Sequence, residues 1–200
     1  MSKNTMSTED RQKEILNIAL KIIHEEGYKS LTVRNIADRI GISEPAIYRH
    51  FDNKEEIVRG LAERAFRKDC SRVDLESYEN LHDLLKDILK NQFEILERNP
   101  YITAILFHSE IFREYPEIEK LFVDHQREKE NHLKEVVREG QKRECFSKDV
   151  DEEAFALIFM GAVRMSVLKW RNEEFSYSLK EKSNRISKEL SKILGRHDDD

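Results

Sequence analysis

Residues 31–54, LTVRNIADRIGISEPAIYRHFDNK, constrain the fold more than any other stretch of the chain. Val33, Ile36, Ala37 and Ile40 follow the spacing of one buried helical face. Gly41 supplies a backbone that can turn left-handed and stop that helix. Ile42 puts an apolar anchor in the turn, and Ser43 is a good N-cap for a second helix. Pro45 falls in the first turn of that second helix, where its missing N–H costs nothing. Ile47 and Phe51 lie four apart on one face and pack back on Ile36 and Ile40. Two helices crossing steeply within so few residues need a small residue at the contact, a glycine-like turn and a bulky apolar residue to close the corner. Ala37, Gly41 and Ile47 are those three.

This is helix-turn-helix logic, in which the second helix is free to enter the major groove of a DNA duplex. Its outward residues are Ser43, Glu44, Ala46, Tyr48, Arg49 and His50, all polar, small or aromatic. The competing reading is a helical corner in any all-α protein. With IADRIGIS followed by AIYRHFDNKEEIV, the run resembles the N-terminal DNA-binding domain of TetR/AcrR-family transcriptional regulators. The matching residues are Thr32, Ile36–Ala37, Gly41–Ile42–Ser43, Tyr48–Arg49–His50–Phe51 and Lys54–Glu55, about the first quarter of the chain. Glu44–Pro45 departs from the small or glycine residues that many members carry there, which bears on the bases read and not on the fold. The resemblance implies a DNA-contacting set of Thr32, Arg34, Ser43, Glu44, Pro45, Ala46, Tyr48, Arg49, His50 and Lys54. Tyr48, His50, Lys54 and Thr32 are expected on phosphates, and Ser43, Glu44, Ala46 and Arg49 on base edges.

A net charge of −5 does not suit a nucleic-acid binder until its distribution is considered. Residues 1–55 are balanced, with nine basic and nine acidic side chains, and the rest of the chain carries the whole excess. Between Gly27 and Lys54 there are five basic residues and three acidic ones. The DNA-facing piece is therefore mildly positive on an acidic body. Phosphate attraction is screened beyond about 8 Å at physiological salt, so this local balance governs. Only three prolines and six glycines, against 38% charged residues, favour long helices. Cys70 and Cys145, far apart and without a CxxC, fit a reducing cytoplasm. No apolar run approaches the roughly 20 residues that span a bilayer, so no membrane association is expected.

Along the chain, Ser7 with Asp10 forms a capping box opening a first helix, whose stripe is Ile15, Ile18, Ala19, Ile22 and Ile23 and whose end is Gly27. Asp52 with Glu55 reads as a second capping box, starting a helix over 53–68 whose N-terminus, with Lys54, is placed to meet a phosphate. Leu81, Leu84, Leu85, Ile88, Leu89, Phe93 and Leu96 mark an amphipathic helix stopped at Asn99–Pro100. Further helices are expected over 101–113, from Pro116 to about Gly140, over 151–170 with Asp149 as cap, and over 177–194. The architecture is all-α. A three-helix helix-turn-helix DNA-binding head (1–52) precedes a larger helical effector-binding and dimerisation body (53–200).

A regulator of this kind needs a symmetric dimer, so that two reading helices sit about 34–36 Å apart on one face of the duplex. The helix over 154–168 is apolar nearly all round, as expected of one packed both on its own body and on a partner. The resemblance implies that the last two helices build this homodimer interface, with Phe155, Ala162, Ile186 and Leu190 as candidates; a monomer core is the alternative. Phe93, Tyr101, Ile105, His108, Phe112, Phe122, Phe159, Met165 and Trp170 form an aromatic-rich set suited to an apolar or amphipathic effector, or to ordinary core packing. Arg164 is the one charge between Glu153 and Lys169, fit for an anionic head group or for an acid across the dimer. His125, Glu128 and His132 share a helix face that would hold a metal or simply be solvated. No nucleophile–base motif or Gly-rich phosphate loop is present, so neither an enzyme nor a cofactor is expected. The expected function is a dimeric transcriptional regulator, in the main reading a repressor released from an inverted-repeat operator by a small apolar or amphipathic ligand. The alternative is a constitutive DNA-binding architectural or division-control protein with no effector.

Overall fold

The computed structural model describes residues 7–66, 75–106 and 109–195. Within them the regular structure is helical: α1 (Thr8–Glu26), α2 (Val33–Ile40), α3 (Glu44–Ile47), α4 (Lys54–Ala65), α5 (Leu81–Arg98), α6 (Thr103–Leu106), α7 (Pro116–Lys142), α8 (Glu152–Asn172) and α9 (Leu179–Leu194). The chain divides into two compact units, Met1–Arg67 with Ala104–Val123, and Lys68–Thr103 with Asp124–Asp200. No helix among the described residues is long and apolar enough to cross a membrane.

In the first unit α1 begins where Ser7 accepts a hydrogen bond from the Asp10 N–H, and it ends at Gly27 with φ 83°. Ile15, Ala19, Leu20, Ile22 and Ile23 are its buried residues. They meet Val33, Ile36 and Ala37 of α2, Ile47 of α3, and Ile57, Val58, Leu61 and Ala62 of α4 as one apolar core. Phe66 closes this unit with Phe112 and Phe122, its ring lying edge-on to both at 5.6 Å. Such edge-to-face contacts add about 0.5–1.5 kcal/mol each beyond area burial.

The second unit is dominated by α5 packed along α9. Leu81, Leu84, Leu85, Leu89, Phe93 and Leu96 face inward from α5, while Leu179, Ser183, Ser187, Leu190 and Leu194 face inward from α9. Two buried serines in that row are small enough to let the helices approach closely. Glu97 ties one end, accepting from the Ser178 hydroxyl and the Lys180 N–H, both at 2.9 Å. At the other end Phe146 lies 4.8 Å from the His82 ring, and the Ser147 N–H donates to the Leu194 carbonyl at 2.8 Å.

Three local expectations are corrected. The cap of α4 is Asn53, not Asp52: its side chain accepts from the Glu56 N–H, and Glu56 accepts in turn from the Asp52 N–H. Asn53 takes the extended cap conformation, so the box sits one residue downstream and α4 starts at Lys54 and closes at Ala65. The expected helix over 101–113 is broken into a 3-10 turn Pro100–Ile102, the single turn α6 and a second 3-10 turn Ser109–Phe112. The Thr103 hydroxyl donates to the Pro100 carbonyl, and Arg171 takes the Thr103 carbonyl, which diverts the ladder at its start. α7 runs slightly beyond Gly140, to Lys142, as expected. A Cβ on Gly140 would sit 2.0 Å from the Phe146 ring, so that position is empty for packing. Asp151 rather than Asp149 caps α8, accepting from the Ala154 N–H at 2.8 Å.

Candidate nucleic-acid interface

The turn between α2 and α3 is built as its residues require. Thr32 caps α2 by accepting from the Asn35 N–H at 3.0 Å. Gly41 is left-handed, at φ 80° and ψ 36°, and the N–H groups of Gly41 and Ile42 both return to the Ala37 carbonyl. Ser43 has the extended backbone of a cap but makes no side-chain capping bond, contrary to expectation; Pro45 behind it has no N–H to offer. The helical hydrogen bonds continue past α3, from the Tyr48 N–H to Glu44 and from the Phe51 N–H to Ile47. Ile47 is fully buried and Phe51 nearly so, which pins the inner face and leaves the other residues of the turn outward.

That outward face holds most of the expected DNA-contacting set together. Thr32, Arg34, Ser43, Glu44, Pro45, Tyr48 and Arg49 are exposed, and Ala46, His50 and Lys54 are half-buried. Tyr48 is 47% exposed, an unusual placement for so large a ring in a packed domain. Arg34 lies one helical turn from Asp38, 3.9 Å away. Lys54 sits in the first turn of α4, where unpaired N–H groups and the helix dipole favour an anion. Lys54 also lies over the Tyr28 ring, with its Nζ 4.6 Å from the centroid.

Polar side chains clamp this corner to α1. Arg39, at the end of α2, reaches Glu25 at 2.5 Å and Glu26 more closely still. Its hydrogen bond holds the Glu25 carboxyl below the ordinary carboxylate range. Asn35 donates to Glu26 and to the Ser30 carbonyl, and Gln12 donates to the His50 carbonyl across 38 positions of sequence. Helical periodicity carries no signal for Gln12, Asn35 or Arg39, because their work is done from the polar side of each helix.

The expected effector residues are distributed. Ile105 and Phe112 are buried in the first unit, with Phe122 half-buried beside Phe66 and Phe112. Phe93 and Phe159 are buried in the second unit. There Trp170 and Tyr101 flank Phe175, at 4.7 and 6.2 Å, and the Trp170 indole N–H donates to the Tyr177 carbonyl. Phe66 and Phe175 complete these clusters and were not anticipated; Phe175 has a positive φ of 59° that no periodicity signals. His108 and Cys70 lie outside the described residues. Met165 requires correction: it is 61% exposed on α8, because α8 turns Val163 and Val167 inward instead, and Arg164 is exposed beside it, as its reading toward an acid across the dimer requires.

Among the dimer candidates, Phe155 is corrected in the same way. It is 1% exposed and packs 6.3 Å from Phe159 within its own unit. Leu190 is also buried, Ala162 and Ile186 are half-buried, and the outward large apolar residues of α8 are Leu157, Ile158, Met165 and Leu168. Gly161 lies on open space beside them. On α7, His125 is buried, and desolvation together with Lys129 pushes its imidazole down to about 4. Among the described residues no group of His, Cys, Asp or Glu is arranged to hold a metal.

Residues 15–61 match the family model for bacterial regulatory proteins of the tetR family, from the middle of α1 through most of α4. Over 177 residues the chain is 29% identical to the nucleoid occlusion factor SlmA of Vibrio atlanticus, covering 84% of this chain and 87% of that protein. Among solved structures, the TetR-family transcriptional regulator PfmR of Thermus thermophilus superposes with a TM-score of 0.78 at 21% identity, covering 91% of this chain and 99% of that one. FadR of Bacillus subtilis, solved in complex with stearoyl-CoA, gives 0.69 at 19% identity, covering 92% and 99%.

Proposed function

We propose, from the premise that this chain belongs to the tetR family of bacterial regulatory proteins and is a DNA-binding regulator, that it is a homodimeric repressor released from an inverted-repeat operator by a small apolar or amphipathic ligand. The observation that carries the DNA-binding part is the outward face of the turn between α2 and α4. There Thr32, Arg34, Tyr48, His50 and Lys54 are assigned to phosphates, and Ser43, Glu44, Pro45, Ala46 and Arg49 to base edges. Phosphate contacts set register and affinity, while base contacts set sequence. Glu44 accepts from a cytosine amino group and Arg49 donates to guanine. We keep the functional division at residues 1–52 for the reading head and 53–200 for effector binding and dimerisation.

The outward apolar residues of α8, with Ile186 and Ile193 of α9, are assigned to the second copy. Ala162 and Gly161 allow the helices to approach, and Arg164 is assigned to an acid across that contact. The Phe66–Phe112–Phe122 and Trp170–Phe175–Tyr101 clusters are the aromatic surfaces offered to an effector, with Phe93, Ile105, His108 and Phe159. Aromatic walls with few polar groups suit an acyl or polycyclic ligand. The stearoyl-CoA bound by the FadR neighbour is of that chemistry.

Selection of duplexes from a random pool by the full chain, followed by native mass spectrometry of the protein as purified, tests the proposal. A palindromic consensus and a dimer carrying an apolar adduct released from DNA are expected. A selected site without two-fold symmetry would overturn the paired-head reading. The likeness to a nucleoid occlusion factor along 84% of the chain favours a second reading, a constitutive DNA-binding division-control protein. A dimer that binds its selected site unchanged by every apolar ligand tried would favour that one.

A further inference from the structure

We propose that Tyr28 is a positioning residue, which holds Lys54 for its phosphate and ties that contact to the segment around Glu114 and Tyr115. The inference rests on the assignment of Lys54 to a DNA phosphate made above. Tyr28 opens the short 3-10 turn Tyr28–Ser30 directly after Gly27, whose φ of 83° swings the chain off the end of α1. The two faces of the argument meet on this one ring. On its π face stands the Lys54 ammonium, 4.6 Å from the centroid. At its far edge the hydroxyl donates to Glu114 Oε2 at 3.4 Å.

The chemistry of the ring suits the task. A carboxylate beside Lys54 would neutralise the charge that a phosphate needs, and no described carboxylate lies within ion-pair distance of it. An aromatic face attracts the ammonium without consuming its hydrogen-bond donors. It also removes part of the lysine's rotamer freedom that would otherwise be lost on binding DNA. Desolvation first, then Tyr115 and Glu114, raise the Tyr28 phenol well above its ordinary value, so the hydroxyl remains a donor at any physiological pH. The ring is therefore tied at its edge to Glu114, so displacement of that segment would reach the partner of the lysine. Phe112, one turn earlier, is fully buried against Phe66, so a ligand meeting the Phe66–Phe112–Phe122 cluster would act close to this tether.

The test measures binding of a mixed-sequence fluorescent duplex across a series of salt concentrations. The parent chain is compared with Lys54→Ala, Tyr28→Leu, Tyr28→Phe and the two double variants, with helicity and Tm recorded for each. Lys54→Ala is expected to flatten the slope of log affinity against log salt by about 0.9 per head. Tyr28→Leu should weaken binding about two- to five-fold per head, and Tyr28→Phe, which keeps the ring and loses the tether, by less. Both losses should vanish in the Lys54→Ala background. Losses that add to that of Lys54→Ala, or a Tyr28→Leu chain that binds as the parent does, would overturn the positioning role alone. A Lys54→Ala chain with parental affinity and slope would instead overturn the phosphate assignment, and the proposal with it. Tyr28→Phe retains the packing of the ring and keeps the test decisive should Tyr28→Leu fail to fold.

Discussion

The outward faces of α3 and α8 are both left open to solvent, and their chemistry is opposite. Around α3 the exposed residues are Ser43, Glu44, Pro45, Tyr48 and Arg49, held in place by polar clamps on the inner side. Along α8 they include Leu157 at 73% exposure, Met165 at 61%, Ile158 and Leu168. A polar face with one aromatic costs little in water and gains when it meets phosphates and base edges. An apolar face of this length gains by leaving water altogether, at roughly 25 cal/mol per Å² buried. Two surfaces of one chain thus call for two different partners, a duplex and a second protein surface.

The contrast breaks most visibly on the α8 side. Leu157→Glu is expected to convert dimer to monomer in sedimentation at micromolar concentration. It should lower operator affinity by about 100-fold or more, because the second head no longer binds intramolecularly. Retention of the dimer would return α8 to a mere exposed helix. Next in size, Arg49→Ala should cost about 1–3 kcal/mol on the selected operator and relax base preference at one position, while the dimer stays intact. A uniform loss over all sequences would move Arg49 from bases to backbone. Thr32→Ala should lower thermal stability by about 1 kcal/mol through the lost cap of α2, measured by denaturant midpoint, with the α8 face unaffected. The last test separates neither face and serves as a control on the body. His125 has its folded value pushed down to about 4 from 6.5. The unfolded chain therefore takes up the proton first as pH falls, and stability should decline between about pH 6.5 and 4 and then level off. His125→Leu should flatten that decline; an unchanged pH profile would remove His125 as its source.

The helix-turn-helix was legible because everything that makes it is local. Ile36, Ala37, Gly41 and Ile47 lie within twelve residues, and each has one physical reason to be there. Cap positions were less certain because adjacent candidates compete: Asp52 and Asn53 are both good caps, and only the backbone chooses between them. On α8 nearly every position is apolar, so periodicity could not tell Phe155, which faces inward, from Leu157, which faces out. Gly140 marks the end of α7 to within two residues; that it also clears space for Phe146, six residues on, is a tertiary fact. Ser183 and Ser187 gave no signal at all, since a small polar residue in a helix looks like surface until a neighbouring helix closes over it. Phe66 joined Phe112 and Phe122, and Phe175 joined Tyr101, through contacts across long stretches of chain, which no window of sequence contains.

The bonds at the two ends of α5 and α9 have a mechanical meaning. Glu97 is bolted to Ser178 and Lys180 at one end, while Phe146 under His82 and Ser147 on Leu194 fasten the other. A pair of rods fastened at both ends neither splays nor slides. Such a pair favours turning as a single lever, passing a displacement that enters at one helix on to the other.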